Sequence, residues 1–185
     1  MKINYIKLLV SIIICQLAGA IGSIFTVPSI KEWYATLNKP SINPPSWIFG
    51  PVWTALFLLM GISLYLVWSK GFVVSAPGGP ASGWKNIKAW NPLSQKLNAG
   101  SWQKINIVLI FALQLVLNIL WSVIFFTLHQ PGLAFFELLM LWFAILYTII
   151  NFYRISKVSA YLLVPYILWV TFAGFLNYSL WMLNL

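Results

Sequence analysis

The sequence predicts an all-α integral membrane protein, built as a bundle of five transmembrane helices. Hydrophobic residues make up 61% of its 185 residues and charged residues only 7%, against about a quarter charged in ordinary globular domains. Five apolar segments reach or approach the roughly 20 residues that a helix needs to cross a bilayer. These segments are approximately residues 5–27, 49–68, 105–128, 133–153 and 160–183. No internal repeat is visible, and we expect residues 1–185 to form a single membrane domain.

The first segment also has features of a signal peptide, since Lys2 and Lys7 precede an apolar core and the small residues 18–20. The apolar run continues past these residues to Val27, which is long enough for a full span. We therefore expect an uncleaved first helix. Cys15 lies within it and is the single cysteine of the chain, so it can form no intrachain disulfide.

Small residues recur in the same segment, at positions 18, 19, 22 and 23. Such spacing allows two helix backbones to approach closely. The contact predicted in this way lies either within the chain or at the seam of a homodimer, and the sequence favours neither.

The charged residues predict the orientation, because Lys and Arg accumulate on the cytoplasmic side of short loops. Nine of the eleven Lys and Arg residues lie in the N-terminus, the loop 69–104 and the connection after residue 153, which alternating spans bring to one side. The other two are Lys31 and Lys39. We therefore expect a cytoplasmic N-terminus and an external C-terminus. The net charge of +9 fits this topology and not nucleic-acid binding, because the cations are dispersed.

The long loop 69–104 contains Trp84, Trp90 and Trp102 together with four lysines after a Pro-Gly-Gly-Pro break at residues 77–80. This mixture suits a segment that lies on the lipid headgroups. A disordered polar loop is the alternative.

The inventory of polar residues excludes much familiar enzyme chemistry. The chain has no aspartate, and its acids are Glu32 and Glu137. A Ser-His-Asp triad therefore lacks its acid, and a metal site would depend on one histidine, one cysteine and two glutamates. We expect no metal site and no cofactor. Glu137 is interpreted as a structural hydrogen-bond acceptor, although an acid within a span is by default a functional candidate.

Polar and aromatic residues recur along one face of several spans. In the third span, Phe111, Gln114, Asn118 and Trp121 follow steps of three and four, which predicts one inward helix face, because polar groups avoid lipid. Comparable faces are predicted for span two and span five; their main members are Trp53, Phe57, Tyr166, Trp169 and Ala173. Such faces commonly pack helix against helix. Several indoles are too bulky for close packing, which favours a cavity for a flat, apolar ligand.

The first loop, residues 28–48, is rich in proline and aromatic residues. Each proline fixes φ and restricts the residue before it, so the loop is stiff. It either caps a cavity or anchors the chain at the membrane interface.

Several of these residues form a signature. The loop reads WYATLNKP at 33–40 and NPPSW at 43–47, followed by PVW at 51–53, and matches continue through Gln114, Asn118, Glu137 and Trp169. The sequence therefore resembles the TspO/MBR family (tryptophan-rich sensory protein, translocator protein or peripheral benzodiazepine receptor) across nearly the whole chain.

The resemblance implies a five-helix bundle, often dimeric, in the cell membrane of a prokaryote. It implies a receptor or sensor that binds porphyrins such as protoporphyrin IX, and other flat hydrophobic ligands, beneath the first loop. Trp53 and Trp169 match the residues of bacterial relatives that support light-dependent oxidative degradation of porphyrin, which makes them catalytic candidates and this activity the first alternative. Transport of tetrapyrroles or lipids is the second. The expected ligand-binding residues are Tyr34, Pro45, Trp53, Phe57, Phe111, Gln114, Asn118, Trp121, Trp169 and Ala173.

Three features depart from the family pattern. The loop 69–104 is longer than the family leads us to expect. The cholesterol-recognition motif of the animal proteins is incomplete, because no Lys or Arg follows Tyr178. The single histidine, His129, ends the third span and is poorly placed to ligate haem.

Overall fold

The computed structural model describes the backbone of residues 3–70 and 92–185, and the side chains of residues 3–70 and 106–185. Six α-helices lie in this part of the chain: α1 (Tyr5–Glu32), α2 (Phe49–Ser69), α3 (Pro92–Ser122), α4 (Pro131–Ile155), α5 (Lys157–Leu162) and α6 (Val164–Leu183). A π-helical segment, Val123–Thr127, continues α3, and two short 3₁₀ helices, Tyr34–Thr36 and Ser46–Ile48, lie between α1 and α2. The expectations for residues 71–91 and for the Trp102 side chain lie outside the described residues.

Five described helical segments are long and apolar enough to cross a membrane, which confirms the predicted fold class. They are Tyr5–Glu32, Ser46–Ser69, Asn106–Thr127, Pro131–Ile155 and Lys157–Leu183. The last span combines α5 and α6, which meet at Leu163 and Val164 just before Pro165. Pro165 lies in the first turn of α6, where its missing backbone N–H is tolerated, and it cannot donate the hydrogen bond that would continue α5, which accounts for this break. The chain is an integral, multi-pass membrane protein.

The first helix extends beyond its apolar run. The sequence predicted a loop from residue 28, but α1 continues through Pro28 to Glu32. Membrane helices tolerate proline where neighbouring groups satisfy the freed backbone. The extension is tied to the end of the third span, because the Ser29 hydroxyl donates to the Phe126 carbonyl oxygen at 2.6 Å.

Close contact between α1 and α2 occurs where glycine replaces a side chain. A Cβ atom added at Gly61 would lie 2.7 Å from the Cα of Ile12. Gly19 sits equally close to the Phe57 ring, at 2.6 Å from an added Cβ. The small residues of α1 therefore make an intrachain contact, which is one of the two possibilities that their spacing left open.

Residues 33–48, which we call the lid, cover one end of the bundle. The Tyr34 hydroxyl donates to the Asn43 side-chain oxygen at 2.8 Å. The Asn184 side chain accepts from the Asn38 backbone N–H at 2.9 Å and donates to the Asn38 carbonyl oxygen at 3.0 Å. The Trp33 ring stacks on His129 with 4.3 Å between ring centroids. The lid is thus fastened to α6 and to the turn between α3 and α4.

Candidate functional site

A cavity of about 500 Å³ lies beneath the lid, within the range of typical small-molecule sites. Side chains from α1, α2, the end of the third span and α6 line it, together with lid residues. Six of the residues expected from the sequence lie in its wall: Tyr34, Trp53, Phe57, Asn118, Trp121 and Ala173. The first loop, which the sequence predicted either to cap a cavity or to anchor the chain, lies over this cavity.

Trp53 forms the wall on the side of α2. It lies one helical turn before Phe57, with 5.7 Å between the ring centroids, and both residues line the cavity. The buried ring of Tyr166 meets Trp53 edge to face at 6.4 Å. Because aromatic neighbours hold it on two sides, the indole presents a fixed apolar surface to the cavity.

Trp121 forms the wall on the side of α3. Its indole N–H donates to the Asn177 side-chain oxygen at 3.0 Å, and the Asn177 amide donates to the Pro131 carbonyl oxygen at 2.7 Å. Phe125 stacks against the same indole with 5.1 Å between centroids. This chain of hydrogen bonds joins the third span, α4 and α6, and it fixes the orientation of the ring.

Asn118 is one of three buried polar residues of the cavity wall, together with Ser122 and Asn177. Its side-chain amide donates to the Tyr166 hydroxyl and, at 2.7 Å, to the Gln114 carbonyl oxygen. Its side-chain oxygen has no hydrogen-bond partner among the described residues. The amide is therefore oriented by two acceptors, as the polar face predicted for the third span requires.

Four expected residues lie outside the cavity wall. Phe111 stacks on Phe152 in the core, with 5.8 Å between centroids and nearly parallel planes. Gln114 is fully buried, and in the part of the chain that the structure describes neither polar atom of its side chain has a hydrogen-bond partner. Phe111 precedes Trp121 on the helix by about 15 Å of rise. Phe111 and Gln114 therefore lie on the same face of the third span as Trp121, but farther from the lid than the cavity wall.

The other two expected residues, Trp169 and Pro45, lie next to residues that line the cavity. Trp169 packs against Phe49 at 5.9 Å and Phe172 at 5.6 Å between ring centroids, and its buried indole nitrogen has no hydrogen-bond partner within the described residues. Because Phe49 lines the cavity and Trp169 does not, Trp169 supports the wall. Pro45 precedes the 3₁₀ helix Ser46–Ile48 and shapes the lid.

Glu137 does not act as the hydrogen-bond acceptor that the sequence suggested. Its side chain is only 2% exposed, and within the described residues neither carboxyl oxygen has a hydrogen-bond partner. It lies on α4, which contributes no residue to the cavity wall. The carboxyl is therefore a buried core group outside the candidate site.

Tyr34 closes the cavity on the side of the lid. Its side chain is 6% exposed, and Lys39 lies over the ring with the ammonium 4.9 Å from the ring centroid. Burial raises the pKa of the Tyr34 hydroxyl above its ordinary value, and the hydrogen bond to Asn43 lowers it in part. The lid therefore holds a neutral phenol over the cavity.

Sequence reasoning missed the wall on the side of α1. This wall consists mainly of small or short side chains that follow one helix face: Gln16, Ala18, Gly19, Ala20, Gly22, Ser23 and Thr26. Their spacing was visible, but it was interpreted only as a helix contact. Small side chains permit close packing and also leave space for a ligand, and sequence spacing alone does not separate the two outcomes.

The fold and the cavity define a class of protein: a multi-pass helical membrane protein with an aromatic-walled cavity under an extramembrane lid. A model of the TspO/MBR family matches residues 11–182. The chain is 37% identical to the tryptophan-rich protein TspO of Archaeoglobus fulgidus, over 98% of this chain and 99% of that protein. The protein of the same name from Chlorobaculum tepidum is 38% identical, over 92% of this chain and 91% of its own. The translocator protein of Homo sapiens is 36% identical, over 87% and 80% respectively. The chain belongs to the TspO/MBR family, and the resemblance found in its sequence is confirmed.

Proposed function

We propose that this protein is a membrane receptor that binds protoporphyrin IX, or a similar flat porphyrin, in the cavity beneath the lid. The observation that carries the proposal is the pair of indoles, Trp53 and Trp121, in the wall of one cavity. Aromatic rings favour offset or edge contacts with other π-systems. A porphyrin macrocycle offers a large flat π-surface to both indoles.

Most polar groups of the wall are engaged within the protein, and the Asn118 side-chain oxygen is the buried one that lacks a partner among the described residues. The Trp121 indole N–H and the Asn177 amide bond within the protein. A ligand in this cavity therefore gains affinity mainly from apolar and aromatic contact. Membership of the family supports a hydrophobic ligand of this kind. The two carboxylates of the porphyrin are expected at the end of the cavity that faces the lid, where Lys39 supplies a cation.

The proposed orientation puts the lid outside the cell. Lys7, Lys70 and Arg154 occupy the opposite end of the bundle, and basic residues prefer the cytoplasmic side. With the N-terminus in the cytoplasm, α1 crosses outward and carries the chain into the lid. The cavity then lies in the outer half of the membrane.

Titration of the purified protein with protoporphyrin IX tests the proposal through quenching of tryptophan fluorescence. We expect saturable quenching with one porphyrin per chain. Trp53→Phe should raise the Kd about 2- to 13-fold, because a smaller ring loses aromatic contact worth roughly 0.5 to 1.5 kcal/mol. Trp142→Phe is the matched control, since Trp142 bonds to the exposed Thr171 at 2.9 Å and does not line the cavity.

Saturation separates specific binding from partition into detergent or lipid, and the control variant tests whether the site is the cavity. Quenching that rises without saturation would contradict the proposal. An equal Kd for Trp53→Phe and Trp142→Phe would move the site away from the cavity.

A further inference from the structure

The contact between α1 and α2 changes along its length. At the end away from the lid the helices touch, since Gly61 lies against the Ile12 backbone. Nearer the lid, the Gln16 side-chain amide donates to the Thr54 carbonyl oxygen at 3.0 Å, which bridges the two helices. Just beyond this bridge Gly19 still meets the Phe57 ring, but at Gly50 the contact has opened. A Cβ atom added at Gly50 would meet no atom within 4 Å.

The open section borders the cavity. Five residues of these two helices both line the cavity and are exposed: Ala20, Ser23 and Val27 on α1, and Gly50 and Thr54 on α2. A residue that meets both conditions lies at an opening in the wall. Four of these five side chains are small, so little fills the space between the helices.

The opening faces lipid. Ala20 lies about 18 Å before the end of α1 at Glu32, by the helical rise of about 1.5 Å per residue. This distance brings it well inside the hydrocarbon region of a bilayer about 30 Å thick. Trp47, which is 74% exposed and also lines the cavity, lies at the lid end of the same opening. Tryptophan in this position is typical of the headgroup level.

The end of the cavity that faces water is closed in comparison. Tyr34 is 6% exposed and bonded to Asn43. Asn184 holds Asn38 through two hydrogen bonds. These three hydrogen bonds hold the lid closed at this end, whereas among the described residues no hydrogen bond joins α1 to α2 on the lid side of Gln16 and Thr54.

We propose that the gap between α1 and α2 is a lateral portal through which the ligand enters and leaves the cavity from the lipid. The proposal rests on the proposed function, and it adds that the ligand is drawn from molecules dissolved in the membrane. Gly50, Ala20 and Ser23 are the residues that keep the portal open. The Gln16–Thr54 hydrogen bond marks its lower edge.

Narrowing the portal tests the proposal. Ala20→Leu adds bulk at the opening, and Ala55→Leu makes the same change at an exposed position of α2 that does not line the cavity. Both proteins are reconstituted in lipid nanodiscs, and binding and release of protoporphyrin IX are followed by stopped-flow fluorescence. We expect Ala20→Leu to slow both association and release at least 10-fold, and Ala55→Leu to match the unmodified protein.

A third variant, Asn184→Ala, loosens the lid and tests the competing route. Exchange rates that are unchanged in this variant support the portal. Faster exchange in Asn184→Ala, with Ala20→Leu equal to Ala55→Leu, would overturn it. A raised Kd with an unchanged association rate in Ala20→Leu would also overturn it, because Ala20 would then contact the ligand without controlling passage. Failure of the proposed function is distinct from these outcomes, since the unmodified protein would then show no saturable quenching.

Discussion

Individual aromatic side chains of the site are oriented by hydrogen bonds to polar side chains. The Trp121 indole is oriented by its hydrogen bond to Asn177 of α6. The Asn177 side chain is oriented in turn by its hydrogen bond to the Pro131 carbonyl oxygen at the start of α4. Tyr34 depends on Asn43 within the lid. In each case a polar side chain orients an aromatic ring, so the ring offers a fixed surface without losing rotamer freedom when a ligand binds.

The buried hydroxyl of Tyr34 predicts how the lid responds to alkaline pH. Burial disfavours the phenolate, so the folded pKa lies above the ordinary value of about 10. Because the pKa is raised by folding, the neutral hydroxyl stabilises the closed lid fully at pH values below the pKa of the unfolded chain. This stabilisation is lost as the pH rises through the pKa of the folded protein. The phenolate absorbance that disappears in Tyr34→Phe should therefore titrate above pH 10, with loosening of the lid in the same range. Titration of this absorbance below about pH 10 would contradict a closed lid.

At the scale of elements, the contact between α1 and α2 combines tight packing with an opening. The helices touch at Gly61 and separate at Gly50. The two glycines lie on one helix yet have opposite surroundings, so the same substitution should have opposite effects at them.

Gly61→Ala should lower the thermal midpoint of unfolding, because the added Cβ would meet the Ile12 backbone, which cannot rotate away. Overpacking of this kind typically costs about 1 to 3 kcal/mol. Gly50→Ala is the matched control and should leave the midpoint unchanged or slightly raised, because its Cβ meets open space and alanine favours the helix. Equal losses at both positions would mean that the α1–α2 contact is uniform.

The elements themselves were largely predictable from hydropathy. The predicted spans 49–68 and 133–153 correspond to Phe49–Ser69 and Pro131–Ile155. The end of α1 was not predictable, because hydropathy reports the apolar length and not the backbone hydrogen bonds that carry the helix through Pro28 to Glu32.

The sequence predicted which helix faces point toward the candidate site, but not how far along each helix the cavity extends. Periodicity identified the helix face of Asn118 and Trp121, which line the cavity. The same periodicity included Phe111 and Gln114, because a repeat of three and four residues specifies a face and contains no information on where a cavity ends. The sequence did not identify Ser23 as a cavity residue, because small side chains occur both at close helix contacts and in the walls of cavities.

As a whole molecule, the bundle is closed toward water and open toward lipid. The lid is fastened to α6 by Asn184, while Gly50 leaves a gap beside the cavity. This asymmetry, together with the aromatic walls, suits a receptor whose ligand partitions into the membrane. Nothing in it depends on a metal or on a pair of carboxylates.

The central claim is that a porphyrin occupies the cavity between Trp53 and Trp121. An experimentally determined structure of the protein in lipid with protoporphyrin IX tests it most directly. The account predicts one macrocycle per chain, in van der Waals contact with both indoles and beneath Tyr34. A porphyrin bound on the outer surface of the helices, with the cavity empty, would contradict it.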